Sequence, residues 1–176
     1  QIATATASYG YGLSVNALHL VRAYAALAND GLMPQLTLFR DGSTPPPQRA
    51  VSARTARIVR EMLEQVVSAD GTGRRAAVEG YRVAGKSGTV RKVDPAGGYA
   101  PNKHQAVFIG MVPVERPRLV GMVMIDEPSG QYYGGQVAAP VFSDMMEGAA
   151  RLLQIAPDAP GTPIESAALP RIGAVH

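Results

Sequence analysis

Apolar side chains recur at helical spacing in three stretches of the chain, which predicts three amphipathic helices. We expect the first helix to begin after Asn16, whose side chain can cap a free N–H, and to end at Gly31 in a left-handed C-cap. Ser52 is a similar cap for the second helix, and Pro140 fits the first turn of the third. The three predicted apolar faces are Ala17, Leu20, Val21, Tyr24, Leu27 and Ala28; Ile58, Val59, Met62, Leu63, Val66 and Val67; and Val141, Phe142, Met145, Met146, Ala149, Leu152 and Leu153. On the second helix we expect the solvent-facing side to consist of Arg54, Arg57, Arg60, Glu61 and Glu64.

Between the second and third helices the pattern changes to strands. Residues 81–90, 105–114 and 118–126 are β-rich runs, and the link 91–104 holds the turn-forming series Asp94-Pro95-Ala96-Gly97-Gly98. A further short strand is indicated within 33–40. Three antiparallel strands in a meander, flanked by helices, give an α+β fold. The predicted sheet is small for its helices, which indicates that a segment packing against it is missing.

Composition narrows the classes of function. The chain has 176 residues, 46% of them apolar, which suits one domain or a large part of one, and the net charge of +3 does not favour nucleic acid as a partner. Cysteine is absent and three histidines lie far apart, so we expect no disulfide and no zinc site. No apolar run reaches the ~20 residues that span a bilayer. Pro, Ala and Gly dominate from Ala156 onward, and we expect a domain over 1–158 and a disordered tail over 159–176.

The strongest chemical signal is Lys86-Ser87-Gly88-Thr89 inside the first predicted strand of the meander. Lys-[Ser/Thr]-Gly-[Ser/Thr] is one signature of penicillin-recognising serine enzymes. Strand alternation predicts Ser87 and Thr89 on one face, where two hydroxyls can bind a carboxylate, and Lys86 on the other face. Gly88 leaves room for a ligand backbone that adds to an edge strand. A plain edge strand with no role is the alternative.

Other blocks, in the same order and at similar spacing, resemble class B penicillin-binding proteins, the division transpeptidases that include penicillin-binding protein 3. These blocks are Ser8-Tyr9-Gly10-Tyr11-Gly12; Asn29-Asp30-Gly31; Asp70-Gly71-Thr72-Gly73; Ile125-Asp126-Glu127-Pro128; and the run from Tyr132 to Phe142. The resemblance extends from about Ile2 to Asp158 and implies the C-terminal half of a penicillin-binding or serine β-lactamase-like transpeptidase fold.

The resemblance implies a serine acyl-enzyme that cross-links peptidoglycan stem peptides ending in D-Ala-D-Ala and is acylated by β-lactams. Lys86 and Thr89 would be the catalytic residues, Lys86 through the serine of a Ser-x-Asn motif and Thr89 through a backbone N–H of the oxyanion hole. Ser87, Gly88 and Thr89 would bind the ligand carboxylate region, with Tyr132, Tyr133 and Gly134 beside it. His104 and Arg91 are further candidates, for which surface roles stay open. The implied location is the periplasmic face of the inner membrane, with divisome proteins as partners.

One departure from the family is an absence. No serine in the chain has a lysine three residues later, so the nucleophile of the family's Ser-x-x-Lys motif is not in this chain. Ser14-Val15-Asn16 matches Ser-x-Asn in letters, but it follows the Gly-Tyr-Gly block, and we interpret it as a helix cap. We therefore expect the chain to act with the N-terminal half of the same protein; a separate non-catalytic binding module is the alternative. Within the wider fold, a β-lactamase, a D,D-carboxypeptidase and a β-lactam sensor also stay open.

Overall fold

The computed structural model describes residues 14–37 and 45–159. The first helix, α1, spans Ala17–Ala28, and two short strands follow, β1 at Leu32–Met33 and β2 at Gln48–Arg49. The second helix, α2, spans Ala53–Glu64. Short 3-10 turns at Gln65–Val67 and Arg74–Ala76 lead into the strands β3 (Ala84–Val93), β4 (Tyr99–Val112) and β5 (Leu119–Asp126), and the last helix, α3, spans Gly134–Leu152.

The two predicted N-caps are confirmed. The Asn16 side chain accepts a hydrogen bond from the His19 N–H at 2.9 Å, and the Ser52 hydroxyl accepts one from the Thr55 N–H at 3.0 Å. Ser14-Val15-Asn16 is therefore a helix start, as interpreted. At the other end of α1, Gly31 has a φ of 84° and its N–H donates to the Ala26 carbonyl, which is the expected left-handed termination.

The predicted faces of α2 are partly wrong. Ile58 and Met62, expected in the core, are 39% and 64% exposed, whereas Arg60, expected at the surface, is only 7% exposed. Arg60 is buried because it has partners: its guanidinium donates to the Leu27 carbonyl at 2.7 Å and twice to the Asp30 carboxylate at 3.0 Å. The carbonyl groups in the last turn of α1 have no N–H donors within the helix. The long, positively charged side chain of Arg60 can donate to them from the neighbouring helix. Helical spacing alone does not reveal such a distant pairing.

The sheet is the predicted antiparallel meander, in the order β3-β4-β5. Ser87 is opposite Phe108 and Thr89 is opposite Ala106 in the β3–β4 register. The two strands continue through the predicted link and close in a turn, where the Asp94 N–H donates to Gly98 O and the Gly97 N–H to Asp94 O. The strand predicted within 33–40 is reduced to β1, paired with β2, and residues 38–40 lie outside the described residues.

The third helix begins earlier than predicted, at Gly134, so that Pro140 lies inside α3 and not in its first turn. A proline in a helix interior leaves the carbonyl four residues earlier without its N–H donor. That carbonyl belongs to Gln136, and it accepts a hydrogen bond from the Arg75 guanidinium at 3.2 Å. The side chain of Arg75 thus substitutes for the missing backbone donor, and the helix continues through the proline.

The sheet is packed between α3 on one face and α1 with α2 on the other. Phe108, Val112, Phe142 and Met146 belong to the buried cluster beneath α3. Ala84 and Met111 belong to the cluster on the opposite face, with Tyr24 and Leu63 packed against them. Because Phe108 is the register partner of Ser87, the sheet face that carries Ser87 and Thr89 is the α3 face.

The segment after α3 returns to the base of the sheet. Tyr81 donates its hydroxyl to the carbonyl of the buried Ile155, and the Asp158 carboxylate accepts from the Arg82 N–H at 2.8 Å. Ala159, which the prediction assigned to the tail, donates its N–H to the Gly80 carbonyl at 3.0 Å. Residues 160–176, the rest of the predicted tail, lie outside the described residues.

An open apolar groove of about 400 Å³ runs between α1, β5 and α3. Leu18, Met124 and Met145 line it and are 66%, 49% and 41% exposed. The small predicted sheet led us to expect an uncovered apolar surface of this kind, without indicating its position. None of the described helices is both long and apolar enough to cross a membrane.

Candidate active site

Strand β3 presents Lys86–Thr89 at the edge of the described sheet, since β4 is its only strand neighbour there. Alternation along the strand puts Ser87 and Thr89 on the α3 face and Lys86, whose register partner is Ile109, on the opposite face. This is the arrangement predicted from the sequence. A ligand that lies along β3 can therefore meet two hydroxyls on one side and an ammonium on the other.

Each of the two hydroxyls already has one partner within the chain. The Ser87 Oγ lies 3.1 Å from the Oγ1 of Thr72, in the turn before the second 3-10 helix. The Thr89 Oγ1 accepts a hydrogen bond of 3.1 Å from the N–H of Gly134, the first residue of α3. Because that N–H occupies an acceptor site of Thr89, the Thr89 hydroxyl hydrogen is available to an incoming acceptor.

The start of α3 fits against β3 only because it consists of glycines. A Cβ on Gly134 would lie under 3.0 Å from the carbonyl oxygens of Val107 and Gly88, and one on Gly135 would collide with the carbonyl of Thr72. Gly88 is different, since a Cβ there would meet nothing closer than Val107 at 3.8 Å. Internal packing thus does not require glycine at position 88, and a ligand approaching the strand explains that residue better.

Lys86 is exposed and its Nζ donates to the carbonyl of Ser87 at 2.8 Å. Within the part of the chain that the structure describes, its ammonium forms no ion pair with a carboxylate. A cation held at the edge strand in this way is available to an anionic or hydroxyl group from outside.

An aromatic cluster flanks the strand on the side of the β3–β4 hairpin. The ring of His104 stacks on Tyr132, with centroids 4.1 Å apart and an interplanar angle of 14°. Tyr132 in turn donates its hydroxyl to that of Tyr133 at 3.3 Å, and this hydrogen bond raises the pKa of Tyr132, while the nearby Arg91 acts in the opposite direction. Arg91 itself is exposed and is opposite His104 in the strand register. The structure thus brings these four predicted residues together.

Charged residues to which the sequence analysis had assigned no role tie the hairpin to β5. The Lys92 ammonium donates to the carboxylates of Asp126 and Glu127 at 2.8 Å each, and these hydrogen bonds lower the pKa of both carboxyl groups. The Glu127 N–H also donates to the carbonyl of His104. The cluster therefore supports the strand position from which His104 projects.

Thr72, Gly135 and Arg75 are further residues of the site that sequence reasoning missed. The turn containing Thr72 had been noted only as a family block, and no local pattern links it to Ser87 across fifteen positions. The described residues include no cluster of three or more potential metal ligands among His, Cys, Asp and Glu.

This α+β arrangement, with its hydroxyl-bearing edge strand held by a helix start, is that of the penicillin-recognising serine enzymes. The chain belongs to the penicillin binding protein transpeptidase domain family, which it matches over residues 1–147. It is 47% identical over 159 residues to the probable peptidoglycan D,D-transpeptidase PbpC of Pseudomonas aeruginosa and 42% identical over 160 residues to the peptidoglycan D,D-transpeptidase FtsI of Escherichia coli. Both alignments cover 90% of this chain.

A solved structure shows the same fold. The apo transpeptidase domain of Burkholderia pseudomallei penicillin-binding protein 3 superposes with a TM-score of 0.81 at 49% identity, covering 90% of this chain. The chain spans only part of these proteins, namely 28% of the Pseudomonas protein, 27% of the Escherichia protein and 49% of the Burkholderia domain.

Proposed function

We propose that this chain is the ligand-carboxylate-binding half of the transpeptidase domain of a peptidoglycan D,D-transpeptidase. The observation that carries the proposal is the edge strand β3, which holds the Ser87 and Thr89 hydroxyls on one face and, on the other, the ammonium of Lys86, which has no carboxylate partner among the described residues. A carboxylate accepts hydrogen bonds from both hydroxyls, and hydrogen bonds to a charged group contribute about 1.5–3 kcal/mol each. Stem peptides ending in D-Ala-D-Ala and β-lactams both supply such a carboxylate.

The nucleophile in this proposal comes from the upstream half of the family domain. Two observations support it: no serine of the chain has the Ser-x-x-Lys spacing, and the matched relatives are more than twice as long as the aligned segment. The apolar groove between α1, β5 and α3 is a surface that the upstream half would cover. We call the chain preceded by that half the completed domain.

In the completed domain the reaction proceeds through a serine ester. The serine oxygen attacks the carbonyl carbon of the penultimate D-Ala, and the amide bond to the terminal D-Ala breaks as its nitrogen takes up a proton. An amine from a neighbouring stem then attacks the ester carbonyl, the C–O bond to the serine breaks as the cross-linking amide forms, and a proton from the amine passes to the serine oxygen. The Thr89 N–H is one donor to the oxyanion in both steps; loss of one such donor typically lowers the rate ~10²–10³-fold.

The roles of the remaining residues follow from their positions. Lys86 lies on the face away from α3, where its ammonium would hydrogen-bond the serine of the upstream Ser-x-Asn motif. Gly88 lets the ligand lie close to the strand, and the His104, Tyr132 and Tyr133 rings border it with Gly134 below. Arg91 is exposed beside this wall and is available to a second anionic group on the ligand.

The setting that goes with this activity is septal cell-wall synthesis at the periplasmic face of the bacterial inner membrane, with divisome proteins as partners. The support is the resemblance to class B division transpeptidases and the identity to the Pseudomonas and Escherichia proteins. No cofactor, metal or nucleic acid takes part in the proposed reaction.

A fluorescent penicillin tests the proposal. The chain alone, the upstream half alone and the two together are each incubated with it and resolved on a denaturing gel. Covalent label only on the upstream half, and only when both halves are present, supports the proposal. Label on this chain alone would show a nucleophile within it and overturn the assignment, and rapid loss of label with hydrolysis of the drug would indicate a β-lactamase.

Hydroxyl variants of the completed domain sharpen this test. Ser87→Ala and Thr89→Val each remove one donor to the carboxylate, and we expect each to lower the second-order acylation rate about 10- to 100-fold. Ser68→Ala is a matched control, because the Ser68 hydroxyl donates only to the Gln65 carbonyl in an exposed turn. Unchanged acylation in both site variants would refute the carboxylate assignment.

A further inference from the structure

The turn before the second 3-10 helix holds one side chain, that of Thr72, against strand β3. Thr72 stands between two glycines that cannot be replaced without a clash. A Cβ on Gly71 would collide with the carbonyl of Val66, and one on Gly73 would lie 2.7 Å from the ring of Phe108. The turn is further fixed by a 2.8 Å hydrogen bond from the Gly73 N–H to the Val66 carbonyl.

The partner of this turn is the strand residue that would bind the ligand. Phe108, on which Gly73 rests, is fully buried and is opposite Ser87 in the sheet register. The same geometry brings the Thr72 Oγ1 to 3.1 Å from the Ser87 Oγ. On its other side the Thr72 carbonyl is so close to Gly135 that no Cβ fits between them. The hydroxyl of Thr72 is therefore held at Ser87 by contacts with the core, the strand and the start of α3.

The direction of this hydrogen bond follows from the chemistry of the ligand. A carboxylate only accepts, so a Ser87 hydroxyl that binds one must donate its hydrogen to it. The Ser87 oxygen is then left to accept, and among the described residues the hydroxyl within hydrogen-bond distance is that of Thr72. Thr89 shows the same arrangement with a different donor, since its oxygen accepts from the Gly134 N–H.

We propose that Thr72 is a positioning residue, which donates to Ser87 and so holds the Ser87 hydroxyl hydrogen toward the ligand carboxylate. This inference rests on the proposed function, because it assigns Thr72 a role in ligand binding through Ser87. In this role Thr72 acts through Ser87 and not directly on the nucleophile or the reacting carbonyl. Its contribution is to preset one of the two donors, so that the donor need not be reoriented when the ligand arrives.

The test measures acylation of the completed domain by fluorescent penicillin in Thr72→Val, Thr72→Ser and Ser87→Ala variants and in the Thr72→Val/Ser87→Ala double variant. Valine keeps the shape of threonine and removes the hydroxyl. We expect Thr72→Val to lower the second-order acylation rate about 3- to 10-fold, the range for one neutral hydrogen bond, and Thr72→Ser to restore most of it. In the Ser87→Ala background the Thr72→Val effect should vanish, since the residue through which it acts is gone.

Thermal melting separates this role from a structural one. Thr72 is exposed, so Thr72→Val should melt within a few degrees of the wild type, and Thr72→Ala is a second variant if valine disturbs folding. The inference is overturned if Thr72→Val acylates at the wild-type rate, or if its effect on the rate is equally large with and without the Ser87 hydroxyl. In either case the proposed function stands. Failure of the wild-type completed domain to be labelled overturns the proposed function, and this inference with it.

Discussion

Two of the glycines of α3, Gly134 and Gly148, are matched sites for a glycine-to-alanine substitution, with opposite expected effects on stability. Gly148 is exposed and a Cβ there would meet nothing within 4 Å. Alanine at a helix interior is favoured over glycine by roughly 0.8–1 kcal/mol, so Gly148→Ala should stabilise the completed domain by nearly that amount. Gly134→Ala is the same substitution in the same helix, but the surroundings of Gly134 are different.

At Gly134 the added methyl group would lie under 3.0 Å from two backbone carbonyl oxygens, those of Val107 and Gly88. Neither oxygen can move aside as a flexible side chain would, because both belong to paired strands of the sheet. Overpacking of this kind destabilises by about 1–3 kcal/mol, and the gain in propensity is small at a first helical residue. The strain is relieved most easily by moving the start of α3 away from β3, which breaks the 3.1 Å hydrogen bond to the Thr89 hydroxyl.

Two assays on the completed domain check this reasoning. Thermal unfolding should show a raised midpoint for Gly148→Ala and a lowered one for Gly134→Ala. The rate of acylation by fluorescent penicillin should be unchanged in Gly148→Ala and about tenfold lower or more in Gly134→Ala, since one ligand donor loses its orientation. A Gly134→Ala variant that melts above the wild type, or that melts lower but acylates at the wild-type rate, would refute the proposal that the start of α3 orients the Thr89 hydroxyl.

Two further predictions concern the charged groups that support the fold. Arg60→Leu should lower the free energy of unfolding by about 1–3 kcal/mol in denaturant titrations, because the Leu27 carbonyl loses its guanidinium donor, while the Asp30 carboxylate, 65% exposed, is hydrated instead and adds little. The exposed Arg57→Leu should change it by less than about 0.5 kcal/mol, and equal effects would contradict the assignment. Lys92 lowers the pKa of Asp126 and Glu127 from their ordinary values of 3.8 and 4.5. The stabilisation by these ion pairs is therefore present above those values and is lost as the pH falls through the lowered folded-state pKa values. Lys92→Met should remove this acid dependence from the melting midpoint. A pH profile of melting that Lys92→Met leaves unchanged would contradict the prediction.

Much of the fold could be predicted because its signals are local. The caps Asn16 and Ser52 act on N–H groups three residues away, and the strand pattern of the meander depends on alternation within each run. Pro140 misled for the opposite reason: its local meaning is a helix start, but Arg75, sixty-one positions from Gln136, supplies the donor that lets the helix pass through it. Arg60 was misplaced in the same way, since its partner Asp30 is thirty positions distant.

The candidate site shows the same division between what is local and what is distant. Lys86–Thr89 was found because its members are contiguous and their faces follow from strand alternation. Thr72 and Gly134, which hold the two hydroxyls, come from other elements and meet Ser87 and Thr89 only once the sheet and α3 have packed. A four-letter motif can therefore locate a site of this kind, while the residues that orient it require the folded structure.

The hydrogen-bond partners of the site residues indicate which part of the proposed reaction each half would provide. Both ligand-facing hydroxyls have their second partners inside this chain, in Thr72 and Gly134. Lys86 has only the Ser87 carbonyl, so its ammonium still lacks a side-chain partner among the described residues. Under the proposed function, carboxylate binding would be set by this chain, whereas activation of the nucleophile would depend on where the upstream half meets Lys86. It follows that substitutions at Thr72 or Gly134 should alter how well ligands are held before they react, and substitutions at Lys86 should alter the reaction of ligands already bound.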